Sequence, residues 1–418
     1  MVRNHISNDI DFVQPTQYIV SKNRVAKKPP PEPEPLPPFN PLPIYNENEY
    51  GEPNLPDNIN NEDPWQLFKL FWTDELIDRL VQHTNENAKL HPPPEDKDFP
   101  RRWKPTSRQE LYAYLAVLIH MGLHIESSIE DYWHKDFSHG TMHILRNYIS
   151  ANRWQQLDRY FYCTKPRSED DEAFQNTFER IEELSEELRL ASMKYYKPGI
   201  HLTVDETIER FTGRAPEIVN IPTKPTPEGF KIWLLGNQGY VLDWMFHAKG
   251  DNKGPVDLDK FWTEEEGFSK TQAVVMDLLT QEDPETGQRL YQPNMHIVWL
   301  DNLFTSVKLL QQLRKLGIGG AGTVRTTKTK REELDEVKGN KKGQGKKAQN
   351  QSPIEQIDRQ LVELKLIYQS QIEWGKLYGR LSEDGTVMEF AWKDANMVLF
   401  MSTISDGSYL DSTLRLCS

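Results

Sequence analysis

The apolar positions of this chain change period along its length. From residue 65 to about 197 they recur at helical spacing. Thr73 precedes Asp74 and Glu75, an N-cap followed by acids in the turn where the helix dipole favours them, and Leu76, Ile77, Leu80 and Val81 then form one stripe. Ser107 and Glu110 fit a capping box ahead of Leu111, Tyr114, Leu115, Leu118 and Ile119. Trp154, Leu157 and Phe161 form a third face, and Phe178, Ile181, Leu184 and Leu188 a fourth. The pattern predicts a helical domain over 63–200.

After residue 200 the period shortens. Segments 201–206, 231–235 and 240–247 read as strands, with a Gly- and Asn-containing turn at 236–239 joining the last two. A helix is expected over 271–279, a short buried strand over 296–300, an amphipathic helix over 305–316 that Gly317 ends, and a strand over 321–325. Three strands followed by alternating helix and strand describe an α/β layer with a mixed sheet, placed at 201–326. Residues 327–418 read as an insertion-like segment, with a helix expected over 354–364 and strands over 371–378, 387–392 and 397–403.

Composition changes the picture at the N-terminus. Twelve of the 28 prolines precede residue 63, nine of them between Pro29 and Pro43, which predicts an extended polyproline-type linker. The Asn- and Glu-rich stretch after it carries little apolar surface to offset ordering entropy, so residues 1–62 are expected to be a disordered tail without tertiary contacts. No run of about 18 apolar residues exists, which argues against a membrane span, and no secretory signal is visible. Cys163 and Cys417 are too few for a disulfide framework or a cysteine-rich zinc module. The net charge of −13 argues against a uniformly basic nucleic-acid binder and leaves room for a local basic face.

Two carboxylates stand out. Asp205 lies within the strand His201-Leu202-Thr203-Val204-Asp205, and Asp301 closes the run His296-Ile297-Val298-Trp299-Leu300-Asp301. In open α/β sheets, ligands gather at the carboxyl ends of strands. Converging carboxylates repel unless a cation lies between them, and hard oxygen ligands suit Mg²⁺ or Mn²⁺. The competing reading is that Asp205 caps a turn and Asp301 caps the helix beginning near Thr305.

The stretch Leu202-Thr203-Val204-Asp205-Glu206, followed by Phe211-Thr212-Gly213-Arg214, Ile221-Pro222-Thr223-Lys224-Pro225, Gly229-Phe230-Lys231-Ile232-Trp233 and Gly239-Tyr240-Val241-Leu242, resembles the piggyBac transposase family. So does Leu300-Asp301-Asn302-Leu303-Phe304-Thr305-Ser306 with Gly322-Thr323-Val324-Arg325 downstream. The resemblance implies an RNase H-like core in which three Asp residues hold two divalent metals, Mg²⁺ or Mn²⁺, and cut and join DNA at inverted terminal repeats. By motif match Asp205 takes the first place and Asp301 the second. The strand Val398-Leu399-Phe400-Met401-Ser402-Thr403 matches the one that precedes the third, but the Gly-rich segment that carries the third Asp has no clear counterpart, and Asp406 and Asp411 are the remaining acids. The resemblance therefore implies a truncated, DNA-binding relative with impaired catalysis. Its rivals are a competent two-metal transposase in which Asp406 or Asp411 completes the triad, and a domesticated protein-interaction module. DNA is the implied partner, a homodimer is admitted, the location is expected to be nuclear, and no zinc is expected.

The positive charge falls in two places. Arg214, Lys224 and Lys231 lie close to Asp205 in sequence, and 325–347 holds nine Lys or Arg against four acids. Within that segment Arg325, Lys328, Lys330, Arg331, Lys341 and Lys342 are candidate phosphate contacts, by the salt-sensitive, sequence-independent attraction of a basic loop for nucleic acid. His120 and His124 stand four apart on an expected helix, without the Glu of a metalloprotease motif, and read as core or surface histidines.

Overall fold

The computed structural model describes residues 11–12, 38–92, 102–135, 141–168, 170–248, 254–283, 286–324, 377–393 and 397–407. The helical part opens with α1 (Pro64–Phe71), whose first turn is held by Asp63, its carboxylate accepting from the Trp65 and Gln66 amides. Thr73 caps α2 (Asp74–Leu90) through the Leu76 amide at 3.2 Å. Ser107 caps α3 (Arg108–Leu123) through the Glu110 amide. The return half of the expected capping box is not made. The Glu110 carboxylate turns instead to Arg153, at 3.0 and 2.7 Å, and to the Thr106 hydroxyl. Helices α4 (Ala151–Tyr160) and α5 (Glu182–Lys194) complete this part. Leu76, Ile77, Leu80, Leu111, Tyr114, Trp154 and Leu157 share one buried cluster. The stripe on α3 turns outward after Val117, where Leu118 and Ile119 are exposed.

The sheet contains β1 (His201–Arg210), β2 (Glu228–Asn237), β3 (Tyr240–Ala248), β4 (Ile297–Leu300) and β5 (Gly319–Thr323). It continues through β6 (Leu377–Leu381), β7 (Met388–Lys393) and β8 (Met397–Ser402). These strands lie in the order β3-β2-β1-β4-β5-β8-β7-β6. β1, β2 and β3 form an antiparallel meander, β4 runs parallel to both β1 and β5, and β8 returns antiparallel to β5. An antiparallel meander with two parallel strands added at its first strand is the RNase H-like arrangement. The Gln238-Gly239 turn has positive φ at both positions, 53° and 84°, as a tight hairpin requires.

Helices α6 (Lys270–Leu279) and α7 (Val307–Lys315) cover the sheet, burying Val274, Val275, Leu278, Leu309, Leu310 and Leu313 against Leu202, Val204, Val298 and Leu300. Glycines in β5 let α7 approach closely: a Cβ on Gly320 would meet Leu310 at 2.6 Å. The sheet does not stop at residue 326. β6 to β8 extend it, so this part of the segment read as insertion-like belongs to the same layer. Residues 325–376, which hold the basic loop and the helix expected over 354–364, lie outside the described residues.

The expected tail is corrected for residues 40–54, which run as a strap over the core. The Leu42 amide bonds the Thr403 carbonyl at 2.8 Å, the Tyr45 amide that of Asn294 at 2.8 Å, and the Ile200 amide that of Asn48 at 3.0 Å. Glu52–Pro53 pairs with Tyr196–Lys197, and a Cβ on Gly51 would fall 2.2 Å from both Asn237 Oδ1 and the Tyr196 hydroxyl. Composition counts apolar area, whereas this strap is held by main-chain groups that composition does not register.

Candidate functional site

The parallel pairing of β1 with β4 sets Val204 against Leu300, so the next residues on each strand are Asp205 and Asp301. Side chains alternate along a strand. Leu202, Val204, Val298 and Leu300 are buried against α6 and α7, and Asp205 and Asp301 share the opposite face with Thr203 and Trp299. Both carboxylates are exposed.

Neither aspartate does the job that the competing reading gave it. Ser306 caps α7, accepting from the Leu309 amide at 3.2 Å, so Asp301 is not the helix cap. The main-chain carbonyl of Asp301 anchors the turn that follows, accepting from the amides of Phe304 and Thr305 and from the Thr305 hydroxyl at 3.0 Å. The Thr323 hydroxyl, on the adjoining β5, donates to Asp301 Oδ1 at 3.3 Å. Asp205 lies within a ten-residue strand, its Oδ1 accepting from the Glu206 amide at 2.8 Å.

Desolvation raises the Asp205 carboxyl above its ordinary value; the Glu206 and Asp301 charges add to the shift, and the Glu206 amide and Lys224 oppose it. Lys224 Nζ bonds Glu206 Oε1 at 3.1 Å. Desolvation works against the charge on Lys224, but the Glu206 bond and the fields of Glu206, Asp205 and Asp301 outweigh it, so its affinity for a proton rises. Lys231 is half-buried with its ammonium 3.8 Å from the centre of the Trp233 ring, and desolvation lowers its pKa. Arg214 is exposed on the loop after β1.

Of the sequence candidates, the fold brings Asp205, Asp301 and Lys224 into one electrostatic cluster, with Lys231 at its edge. Arg325, Lys328, Lys330, Arg331, Lys341, Lys342 and Asp411 lie outside the described residues. Asp406 does not join the pair. β8 runs antiparallel to β5, and its end at Thr403 bonds Gly320, with Ile404 against Gly319. Those glycines sit beside the start of β4, three to four residues behind Thr323, and at about 3.3 Å per residue the chain leaves the sheet roughly 10 Å or more from the carboxylates.

Sequence reasoning missed Glu206 and Thr323. Glu206 carried a signal in its strand position, one residue out of phase with Asp205 and aligned with the core-facing Val204 and Ile208. Its side chain is only 10% exposed, and its Oε2 has no hydrogen-bond partner. Among the described residues no group of three or more metal-capable side chains converges. His120 Nε2 and His143 Nδ1 share a hydrogen bond of 2.8 Å, and His143 Nε2 lies 2.7 Å from Glu126 Oε1.

The family model described as transposase IS4 matches residues 63–415. The human piggyBac transposable element-derived protein 2 is 23% identical over 301 residues, which are 70% of this chain and 45% of that protein. The solved piggyBac transposase, in a synaptic complex with hairpin DNA, has a TM-score of 0.57 at 22% identity, covering 87% of this chain and 65% of that one. The chain thus spans under half the length of the human relative and about two thirds of the solved chain. With the model matched across both the helical part and the carboxylate-bearing sheet, the chain belongs to the transposase IS4 family, and its likenesses lie with the piggyBac transposases.

Proposed function

We propose that this chain is a piggyBac transposase-derived DNA-binding protein whose carboxylate pair holds a divalent cation and which does not join DNA strands by itself. The observation that carries this reading is the placement of Asp205 and Asp301 at matching positions of two parallel strands, on one exposed face, with neither used as a cap. Two exposed carboxylate groups fit Mg²⁺ or Mn²⁺ coordination completed by water. A bound ion would supply charge neutralisation for a phosphate group. The solved relative is in complex with hairpin DNA, which supports nucleic acid as the partner. Arg214, Lys224 and Lys231 would add positive charge beside the site, and the basic loop from Arg325 to Lys342 would contact phosphates. A nuclear location goes with this reading.

Two-metal phosphoryl transfer needs ligands that hold ions on both the attacking and the leaving oxygen. The chain leaves β8 at the end of the sheet away from the carboxylates, and among the described residues no third carboxylate joins the pair; misplacement of even about 1 Å in such a centre can lower the rate about 10²-fold. The test combines two measurements on the full chain. Fluorescence anisotropy with duplex DNA should show binding that weakens steeply with salt. Incubation with terminal-repeat DNA and Mg²⁺ or Mn²⁺ should yield no joined product. Strand cleavage lost on Asp205→Ala and on Asp406→Ala or Asp411→Ala would overturn the reading in favour of a competent transposase, and absence of DNA binding at low salt would favour a protein-interaction module.

A further inference from the structure

One oxygen of each aspartate in the pair is already engaged. Asp205 Oδ1 accepts from the Glu206 amide at 2.8 Å, and Asp301 Oδ1 accepts from the Thr323 hydroxyl at 3.3 Å. Among the described residues, Oδ2 of each accepts no hydrogen bond. The two anchors differ in kind. The Glu206 amide is main chain, and any residue except proline would supply it. Thr323 is a side chain from another strand. The parallel register pairs Leu300 with Gly322, so Thr323 comes beside Asp301 on the outer face. β5 reads Gly319-Gly320-Ala321-Gly322-Thr323, so Thr323 is its one residue with a side chain larger than a methyl group. The main chain of Asp301 is held separately, through its carbonyl, by Phe304 and Thr305. That fixes the Cα and leaves the carboxylate free to rotate; Thr323 is the side chain that restrains the rotation.

We infer that Thr323 is a positioning residue for the cation site: its hydroxyl fixes the Asp301 carboxylate by Oδ1 and leaves Oδ2 as the oxygen that meets a divalent cation held with Asp205. The inference rests on the metal-binding reading of the Asp205–Asp301 pair. Mg²⁺ keeps several waters and is commonly held by one or two carboxylates together with a phosphate, so two protein ligands suffice. With so few ligands, the orientation of each carries a large share of the affinity. Groups that orient a ligand from behind typically change metal affinity by about 10–100-fold. A single bond of 3.3 Å on a half-buried side chain belongs at the lower end of that range. The rival role for Thr323 is that of a β-branched residue that suits a strand. Valine has the same shape without the donor, so Thr323→Val separates the two roles.

The experiment is a Mn²⁺ titration of the full chain followed by electron paramagnetic resonance, with a urea midpoint for each variant to show that it is folded. The wild type should bind Mn²⁺ in a manner lost on Asp205→Asn and on Asp301→Asn. Thr323→Val should bind about tenfold more weakly with little change in midpoint. Thr323→Ser, which keeps the hydroxyl and loses the β-branch, should restore most of the affinity. Aspartate-dependent affinity unchanged in folded Thr323→Val, or a loss that Thr323→Ser shares in full, would overturn the positioning role and leave the metal site standing. Wild-type binding that ignores both aspartates, or no Mn²⁺ binding at all, would overturn the metal site itself and the inference with it. Should Thr323→Val unfold, Thr323→Ala removes the same hydroxyl and is read in the same way; unfolding of both would assign Thr323 to the fold and overturn the inference.

Discussion

Asp277 gives a quantitative test of how this core is built. It lies on α6, 8% exposed, with Oδ1 accepting from the Asp259 amide at 3.2 Å and Oδ2 lying 3.5 Å from the Gln281 amide nitrogen. Desolvation pushes its pKa up to about 6; the Asp259 and Asp243 charges add to the shift, while the Asp259 amide and Arg189 oppose it. The ordinary value is 3.8, so the folded state holds the proton more tightly than the unfolded one. The stability this contributes is fully present below about pH 4 and is lost as pH rises through about 6. A shift of about two units corresponds to about 3 kcal/mol between the two limits, and at pH 8 the folded state carries the whole burden of a buried carboxylate. Asp277→Asn keeps the acceptor for the Asp259 amide and removes the charge. Its amide gains a donor that needs a partner, which offsets about 1 kcal/mol. Urea unfolding should therefore show the variant more stable than wild type at pH 8 by about 2 kcal/mol, with that advantage shrinking to near zero or reversing by pH 4.5. An advantage equal at both pH values, or a loss at pH 8, would refute the reasoning.

Two further substitutions test the placement of the site and the strap. Gly322→Ala puts a Cβ 2.4 Å from the Leu300 carbonyl oxygen and the Thr305 hydroxyl, so it should shift the turn that carries Asp301, lower stability by about 1–3 kcal/mol and weaken Mn²⁺ binding at least tenfold; unchanged affinity in the folded variant would mean that β5 does not position Asp301. Gly51→Ala pushes against Asn237 and Tyr196 and should lower the urea-unfolding free energy by about 1–3 kcal/mol, whereas an unchanged midpoint would mean that the strap is not held as it stands.

The strands of the catalytic-type layer were legible because burial on one face imposes an alternation that the residues display directly. Their limits were less so. β1 runs on to Arg210 through Glu209, although charged residues read as the end of a strand, because Gly229 on β2 lets the backbones meet: a Cβ there would lie 1.9 Å from the Glu209 carbonyl oxygen. The capping box at Ser107 was half right because its other half depends on Arg153, which lies 43 residues from Glu110 in sequence and which no local pattern reports. The strap went unread for a related reason, since Pro- and Asn-rich sequence says little about where its carbonyls find donors. At the site, Asp205 and Asp301 were legible by their strand positions. Thr323 was not, because its bond to Asp301 comes from strand packing, and Glu206 showed only an out-of-phase strand position, its pairing with Lys224 depending on how the loop folds.

The pairing of the two aspartates is tied to the core. Leu202 and Val204 alternate into the same buried layer as Val298 and Leu300, and the parallel register joins Leu202 to Val298 and Val204 to Leu300. A slip of one residue would turn Val298 and Leu300 out of that layer, so register is specified by burial rather than by the site. Asp205 follows Val204 and Asp301 follows Leu300, and these two inward apolar residues are register partners, so the packing that fixes the fold also brings the two carboxylates level on the outer face. Selection for stability alone would keep them aligned, whether or not strands are ever joined. Lys224 stands differently. It is delivered by a loop, and its partner Glu206 is a buried charge on the core-facing side of β1 that an apolar residue of similar volume would replace at little cost. The pair therefore owes its place to charge compensation under the loop rather than to apolar packing.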